Sequence, residues 1–142
     1  MRGSAPILLV EDDLDIRETI LEVLADAGYA ARGAIDGIDA LQQLHRVDPT
    51  PGLILLDLMM PRMSGLELCA ELAKVEAWSR IPVVVLTADA EARAKAESVG
   101  AAAYLRKPLH LADLLRLVAE NQHRGSSVGK SEAPGVPPTS PP

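Results

Sequence analysis

Four groups of polar side chains each stand at or just past the end of a short apolar run. Glu11, Asp12 and Asp13 follow Ile7–Val10, and Asp57 follows Leu53–Leu56. Thr87 follows Ile81–Leu86, and Lys107-Pro108 comes just after Ala102–Leu105. A carboxylate at the end of a buried strand is costly unless something there uses its charge. Carboxylates gathered in one cleft also repel: two unit charges ~4 Å apart cost on the order of 4 kcal/mol at an effective dielectric near 20. A lysine ammonium or a divalent cation relieves that repulsion. A few hard oxygen ligands, with room for water and phosphate oxygens, describe a magnesium site. A carboxylate beside such a cation can attack phosphorus and form an acyl phosphate, whose equatorial oxygens then need positive or donor groups. Asp57 is the candidate nucleophile. Lys107 and Thr87 are the candidate partners of the phosphoryl oxygens, and the small Ala88 leaves the phosphorus approachable. Pro61 and Gly65 are expected to shape the loop after Asp57, Pro by fixing its own φ and Gly by tolerating positive φ.

Groups this far apart in sequence meet only if the fold brings them together. The apolar runs Ile7–Val10, Leu53–Leu56 and Ile81–Leu86, and the weaker Ala30–Ala34 and Ala102–Leu105, are continuous, which suits strands covered on both faces. Stretches of helical period lie between them. In the first, Ile16, Ile20, Val23, Leu24 and Ala27 share one face and Gly28 stops the helix. The others are 37–47, 65–75, 90–99 (ended by Gly100) and 110–122, where Leu111, Leu114, Leu115 and Val118 share a side. Five strand–helix alternations predict an open, doubly wound α/β fold with a parallel sheet and helices on both faces. Such folds place their sites at the carboxyl ends of the strands, where the polar groups above stand.

The 142 residues are 48% hydrophobic and 24% charged, enough for one domain with a true core. Aromatics are only 2%, with no Phe, so Leu, Val, Ile and Ala must build that core. A formal net charge of −6 gives no basic excess for a nucleic-acid surface. No apolar run reaches the roughly 18–20 residues of a membrane span. Met1–Pro6 is too short and polar for a signal peptide. The single cysteine, Cys69, reads as a small packing residue and fits a reducing compartment. The expected location is the cytoplasm. Residues 1–5 read as a leader and 6–123 as the folded domain. Residues 124–142, rich in Gly, Ser and Pro, read as a flexible tail or linker.

The blocks "ILLVEDDLDIRE", "LILLDLMMPRMSGLEL", "IPVVVLTA" and "GAAAYLRKPL", in this order, resemble the motif blocks of the response regulator receiver domain of two-component signalling. The resemblance spans about Pro6 to His123. It implies a flavodoxin-like fold: a five-stranded parallel sheet in the order 2-1-3-4-5 flanked by five helices. It implies Asp57 as phosphoacceptor and Mg²⁺ as cofactor. Asp12, Asp57 and the backbone carbonyl of Met59 would hold the metal, with Glu11 helping through water. It further implies that Thr87 follows the phosphoryl group, that Lys107 contacts it, that Lys107-Pro108 is a cis peptide and that Tyr104 is an aromatic switch on the fifth strand. The implied partners are a histidine kinase or phosphotransfer protein (or a small phosphodonor) upstream and an unidentified protein target downstream. That target would be reached through the face of the fourth helix, fifth strand and fifth helix. A phosphorylation-dependent homodimer is one form such an output takes. Neither nucleic acid nor membrane is an expected partner, and the only catalysis implied is of the domain's own phosphorylation and dephosphorylation. The fourth helix, "DAEARAKAESVG", has only Ala and Val for its apolar side, so it is expected to be weakly held and easily biased.

Plainer readings stand beside these. Glu11, Asp12 and Asp13 suit the start of a helix, and Asp13 fits a cap better than a ligand. Thr87 suits a cap of the fourth helix, and Tyr104 a fixed, half-buried side chain. The main alternative function is a receiver-like protein-interaction module that is not phosphorylated; the full set of Glu11, Asp12, Asp57, Thr87 and Lys107 argues against it. A phosphatase of the haloacid-dehalogenase type needs a second acid two residues after its nucleophile, where this chain has Met59. A nicotinamide enzyme needs a G-x-G-x-x-G after the first strand, and that is missing. His45, His110 and His123 are not spaced as metal ligands.

Overall fold

A computed structural model describes residues 5–46, 50–60 and 62–126. In chain order the elements are β1 (Ile7–Val10), α1 (Leu14–Asp26), β2 (Ala31–Ala34), α2 (Gly37–Arg46), β3 (Leu53–Asp57), α3 (Gly65–Ala73), α4 (Glu76–Ser79), β4 (Val83–Thr87), α5 (Ala92–Ser98), β5 (Ala103–Arg106) and α6 (Leu111–Ser126). All five strands are parallel, in the order β2-β1-β3-β4-β5, as the resemblance implies.

The continuous apolar runs are explained by two cores, one on each face. Ile7, Leu9, Leu53, Leu55, Val84 and Leu86 face Ile20 and Leu24 of α1 and Leu114 and Val118 of α6. Their neighbours Leu8, Val10, Ile54, Leu56 and Val85 face Ala40 and Leu44 of α2, Leu68 and Leu72 of α3 and Ala96 of α5. Successive side chains on a strand point to opposite faces, so a strand buried on both faces must be apolar throughout. β5, at the sheet edge, alternates between half-buried and exposed residues.

Several boundaries differ from the periodicity. The period read over 65–75 breaks at Ala73. Val75 turns extended (φ −116°, ψ 119°), and the four-residue α4 follows. Among the described residues there are therefore six helices instead of five. The helix expected fourth is α5, and the one expected fifth is α6. Ala27 caps α1 and is exposed, so it lies off the buried face read for it. Leu111, at the first position of α6, is likewise 40% exposed. Positive-φ Gly28 (97°) and Gly100 (70°) follow α1 and α5, where the sequence places stops. α6 runs to Ser126, past the boundary drawn at 123. The rest of the expected tail (127–142) and residues 1–4 of the leader lie outside the described residues, as does Pro61.

Candidate functional site

The strand register assembles the polar groups. Val10 pairs with Leu56, Asp57 with Leu86, and Thr87 with Arg106. Glu11, Asp57, Thr87 and Lys107 therefore end up along one edge of the sheet, at the carboxyl ends of β1, β3, β4 and β5. Glu11 is 1% exposed, Asp57 3% and Thr87 0%. Carboxylate oxygens of Glu11, Asp12 and Asp57 lie within 4.8 Å of one another, with Asp12 open to solvent. Asp13 stands outside this cluster: its side chain accepts from the Ile16 amide at 2.9 Å and caps α1, as the plainer reading has it.

Lys107 Nζ is 3.0 Å from Glu11 Oε1 and 3.4 Å from Asp57 Oδ2. Glu11 is held further by the Asp13 amide, which donates to Oε2 at 3.1 Å. Arg17 donates to the Glu11 carbonyl at 2.9 Å. Burial pushes the Glu11 carboxyl up to about 7, against the pull of Lys107, and the adjacent Asp57 pushes in the same direction as burial. Burial alone would lower Lys107, but hydrogen bonding and charge from Glu11 and Asp57 outweigh it and leave its pKa raised. With all groups ionised, three carboxylates face one ammonium, leaving two uncompensated negative charges. Clustered hard oxygens with that deficit fit a divalent cation such as Mg²⁺.

The phosphoacceptor candidate is fixed locally. Asp57 Oδ1 accepts the Met59 amide at 3.0 Å, and Met59 is 62% exposed. Gly65 serves the loop differently from the expectation. Its φ is not positive; the positive φ in this loop belongs to Arg62 (66°). A Cβ on Gly65 would lie 2.7 Å from Leu58 Cα and 2.8 Å from the Asp57 carbonyl oxygen, so the position needs Gly for close approach.

Thr87 Oγ1 accepts the Asp89 amide at 3.1 Å. Asp89 in turn takes the Glu91 amide at 2.7 Å and Lys95 Nζ of α5 at 2.6 Å. Ala88 is exposed beside them. Lys107-Pro108 is cis. Tyr104 is 38% exposed on β5, opposite Val85 of β4. Cys69 is half-buried against the α2/α3 core, and burial lifts its thiol to about 11, which suits packing and not nucleophilic work.

Two ion pairs near the site escape the motif reading. Lys95 to Asp89 spans a strand-to-helix loop, and a Lys six residues after an Asp was the only signal for it. Arg62 to Asp36 joins two loops. Its Nε donates to Asp36 Oδ2 at 2.7 Å, and no local pattern links positions this far apart.

Comparison with known proteins bears on the whole arrangement. The profile of the response regulator receiver domain family matches residues 7–119. The response regulator MprA of Mycobacterium ulcerans is 38% identical over 114 residues, covering 79% of this chain and 47% of that protein. MprA of Mycobacterium leprae is 39% identical over 111 residues, covering 77% and 47%. The chain thus spans about half the length of the curated relatives it matches. Among solved structures, the chemotaxis protein CheY4 of Vibrio cholerae superposes with a TM-score of 0.76 at 29% identity, over 84% of this chain and 99% of that one. A CheY-like receiver domain protein of Methanospirillum hungatei gives 0.78 at 26% identity, over 89% and 100%.

Proposed function

This chain belongs to the response regulator receiver domain family, and from that premise we propose that it is a phosphoacceptor switch in which Asp57 takes a phosphoryl group from a histidine kinase, a phosphotransfer protein or a small phosphodonor. The observation that carries the reading is the placement of the buried Asp57 carboxylate among Glu11, Asp12 and Lys107.

An Asp57 carboxylate oxygen attacks phosphorus. The bond to the donor breaks as the P–O bond to Asp57 forms. The Met59 amide holds the carboxylate in place for that attack. Lys107 Nζ, already 3.4 Å from Asp57, bonds an oxygen of the arriving group. The Thr87 hydroxyl oxygen accepts from Asp89, which leaves its proton free to donate to the phosphoryl group. Ala88 leaves the approach open. Asp12, Asp57 and the Met59 carbonyl would hold Mg²⁺, with Glu11 acting through water. Bound there, the cation would offset the charge of the transferring group.

Phosphorylation adds roughly 1.5–2 negative charges. Thr87 moving toward them disturbs the Asp89 contact and with it the tie to α5, while Tyr104 swings toward the space Thr87 leaves. The output surface in this reading is formed by α5, β5 and α6, and its target is a protein. Catalysis extends only to the domain's own phosphorylation and dephosphorylation.

The test is intact mass after incubation with Mg²⁺ and acetyl phosphate, with Asp57→Asn alongside. One added phosphoryl group is expected in the wild type only, and only with Mg²⁺. No adduct, and no beryllofluoride uptake by a folded protein, would overturn the reading in favour of an unphosphorylated interaction module.

A further inference from the structure

Arg62 stands at φ 66°, a left-handed conformation that a long side chain rarely adopts without a reason held elsewhere. The reason on view is Asp36. This residue, 2% exposed, sits between β2 and α2, and its carboxylate accepts from Arg62 Nε at 2.7 Å. A second guanidinium nitrogen of Arg62 also bonds Asp36 Oδ2. The other oxygen, Oδ1, takes the Asp39 amide at 2.8 Å at the start of α2. Burial alone would raise the Asp36 carboxyl, but the Asp39 amide and the Arg62 guanidinium outweigh it and hold its pKa below the usual range. Next to it, a Cβ on Gly37 would lie 2.7–2.9 Å from Met63 side-chain atoms. The β2–α2 turn and the loop after β3 are therefore fastened by an ion pair and by close packing of adjacent residues.

That loop begins at Asp57 and carries Met59. Its far end is fixed by the Ser64–Glu67 capping box and by the Gly65 amide, which bonds the Leu58 carbonyl at 3.1 Å. Between these anchors, Arg62 makes the ion pair to a neighbouring loop among the described residues, beside the Gly37–Met63 packing. We infer that Arg62 and Asp36 are positioning residues for the metal site: their pair holds the loop after β3 in the course that presents the Met59 carbonyl to the cation. The inference rests on the phosphoacceptor reading above. A preorganised ligand binds more tightly because less freedom is lost on binding.

The experiment separates the guanidinium from the backbone. Arg62→Gly keeps positive φ accessible and deletes the pair. Arg62→Ala deletes the pair and disfavours the φ as well. Arg62→Lys keeps the charge and loses the fork. Mg²⁺ affinity is read by amide chemical shifts of residues 12 and 59. Phosphorylation by acetyl phosphate is followed as a function of Mg²⁺, and circular dichroism monitors the fold. Arg62→Gly is expected to raise the Mg²⁺ dissociation constant three- to tenfold and to leave the rate at saturating Mg²⁺ within twofold. Arg62→Ala should be weaker still, and Arg62→Lys should recover part of the loss. Folded variants with wild-type Mg²⁺ affinity overturn the inference while leaving the phosphoacceptor reading intact. A wild type that takes up neither Mg²⁺ nor beryllofluoride overturns both.

Discussion

Glu11 carries its charge at a cost, buried beside Asp57. Its folded pKa near 7 lies above the ordinary 4.5, so the folded protein keeps a proton that the unfolded chain has released. Stability therefore falls as pH rises from about 4.5 to 7, and the cost is complete above that window. Glu11→Gln should raise the unfolding free energy at pH 8 by about 1–3 kcal/mol and change little at pH 4. Urea melts at the two pH values check this, and an equal gain at both would point to packing instead of charge. At this scale the sequence was most legible where chemistry repeats at strand ends. Glu11, Asp12, Asp57 and Lys107 were readable because each follows an apolar run, and parallel strands must bring such ends together. The Arg62–Asp36 pair was not readable, since nothing in either local pattern demands the other. Gly65 stands out in the sequence as a loop glycine, but close approach of another backbone leaves no mark there that distinguishes it from a need for positive φ.

At the scale of elements, α3 and α5 make opposite claims on their neighbours. α3 starts so tightly against β3 that Gly65→Ala should destabilise the fold by roughly 1–3 kcal/mol, despite Ala being the better helix former. Thermal melts test the sign. α5 buries only Ala92 and Ala96, with Val99 partly covered, so it gains little from its core contact. Its amides should exchange with solvent at least tenfold faster than those of β3. The Lys95–Asp89 pair then holds a larger share of its position. In the phosphoacceptor reading, Lys95→Gln should tighten beryllofluoride binding two- to fivefold by freeing the loop that engages Thr87. Unchanged affinity would show that the pair survives activation. The weakness of α5 could be read from its alanines. The short α4 could not, because a four-residue turn is too brief to show a period and its residues continue the apolar spacing of α3.

For the molecule as a whole, one end of the sheet concentrates uncompensated charge while the rest is close-packed aliphatic core on two faces. A ligand that binds the folded state and not the unfolded chain raises stability by mass action, about 2.7 kcal/mol at a hundred times its dissociation constant. In the phosphoacceptor reading, added Mg²⁺ should therefore raise the thermal midpoint of the wild type by several degrees and that of Asp12→Asn by much less. Calorimetry with and without chelator measures both. The opposite end of the sheet holds Trp78, the only tryptophan, with its ring edge-on to His45 at a centroid distance of 4.9 Å. Its carbonyl accepts the Ile81 amide just before β4 begins. β4, five residues and roughly 16 Å long, runs from just after that turn to Thr87 beside the carboxylates. The chain thus carries its one indole at the end of the sheet opposite its charge. Its emission will track loss of the fold and stay nearly silent when the distant cluster changes hands.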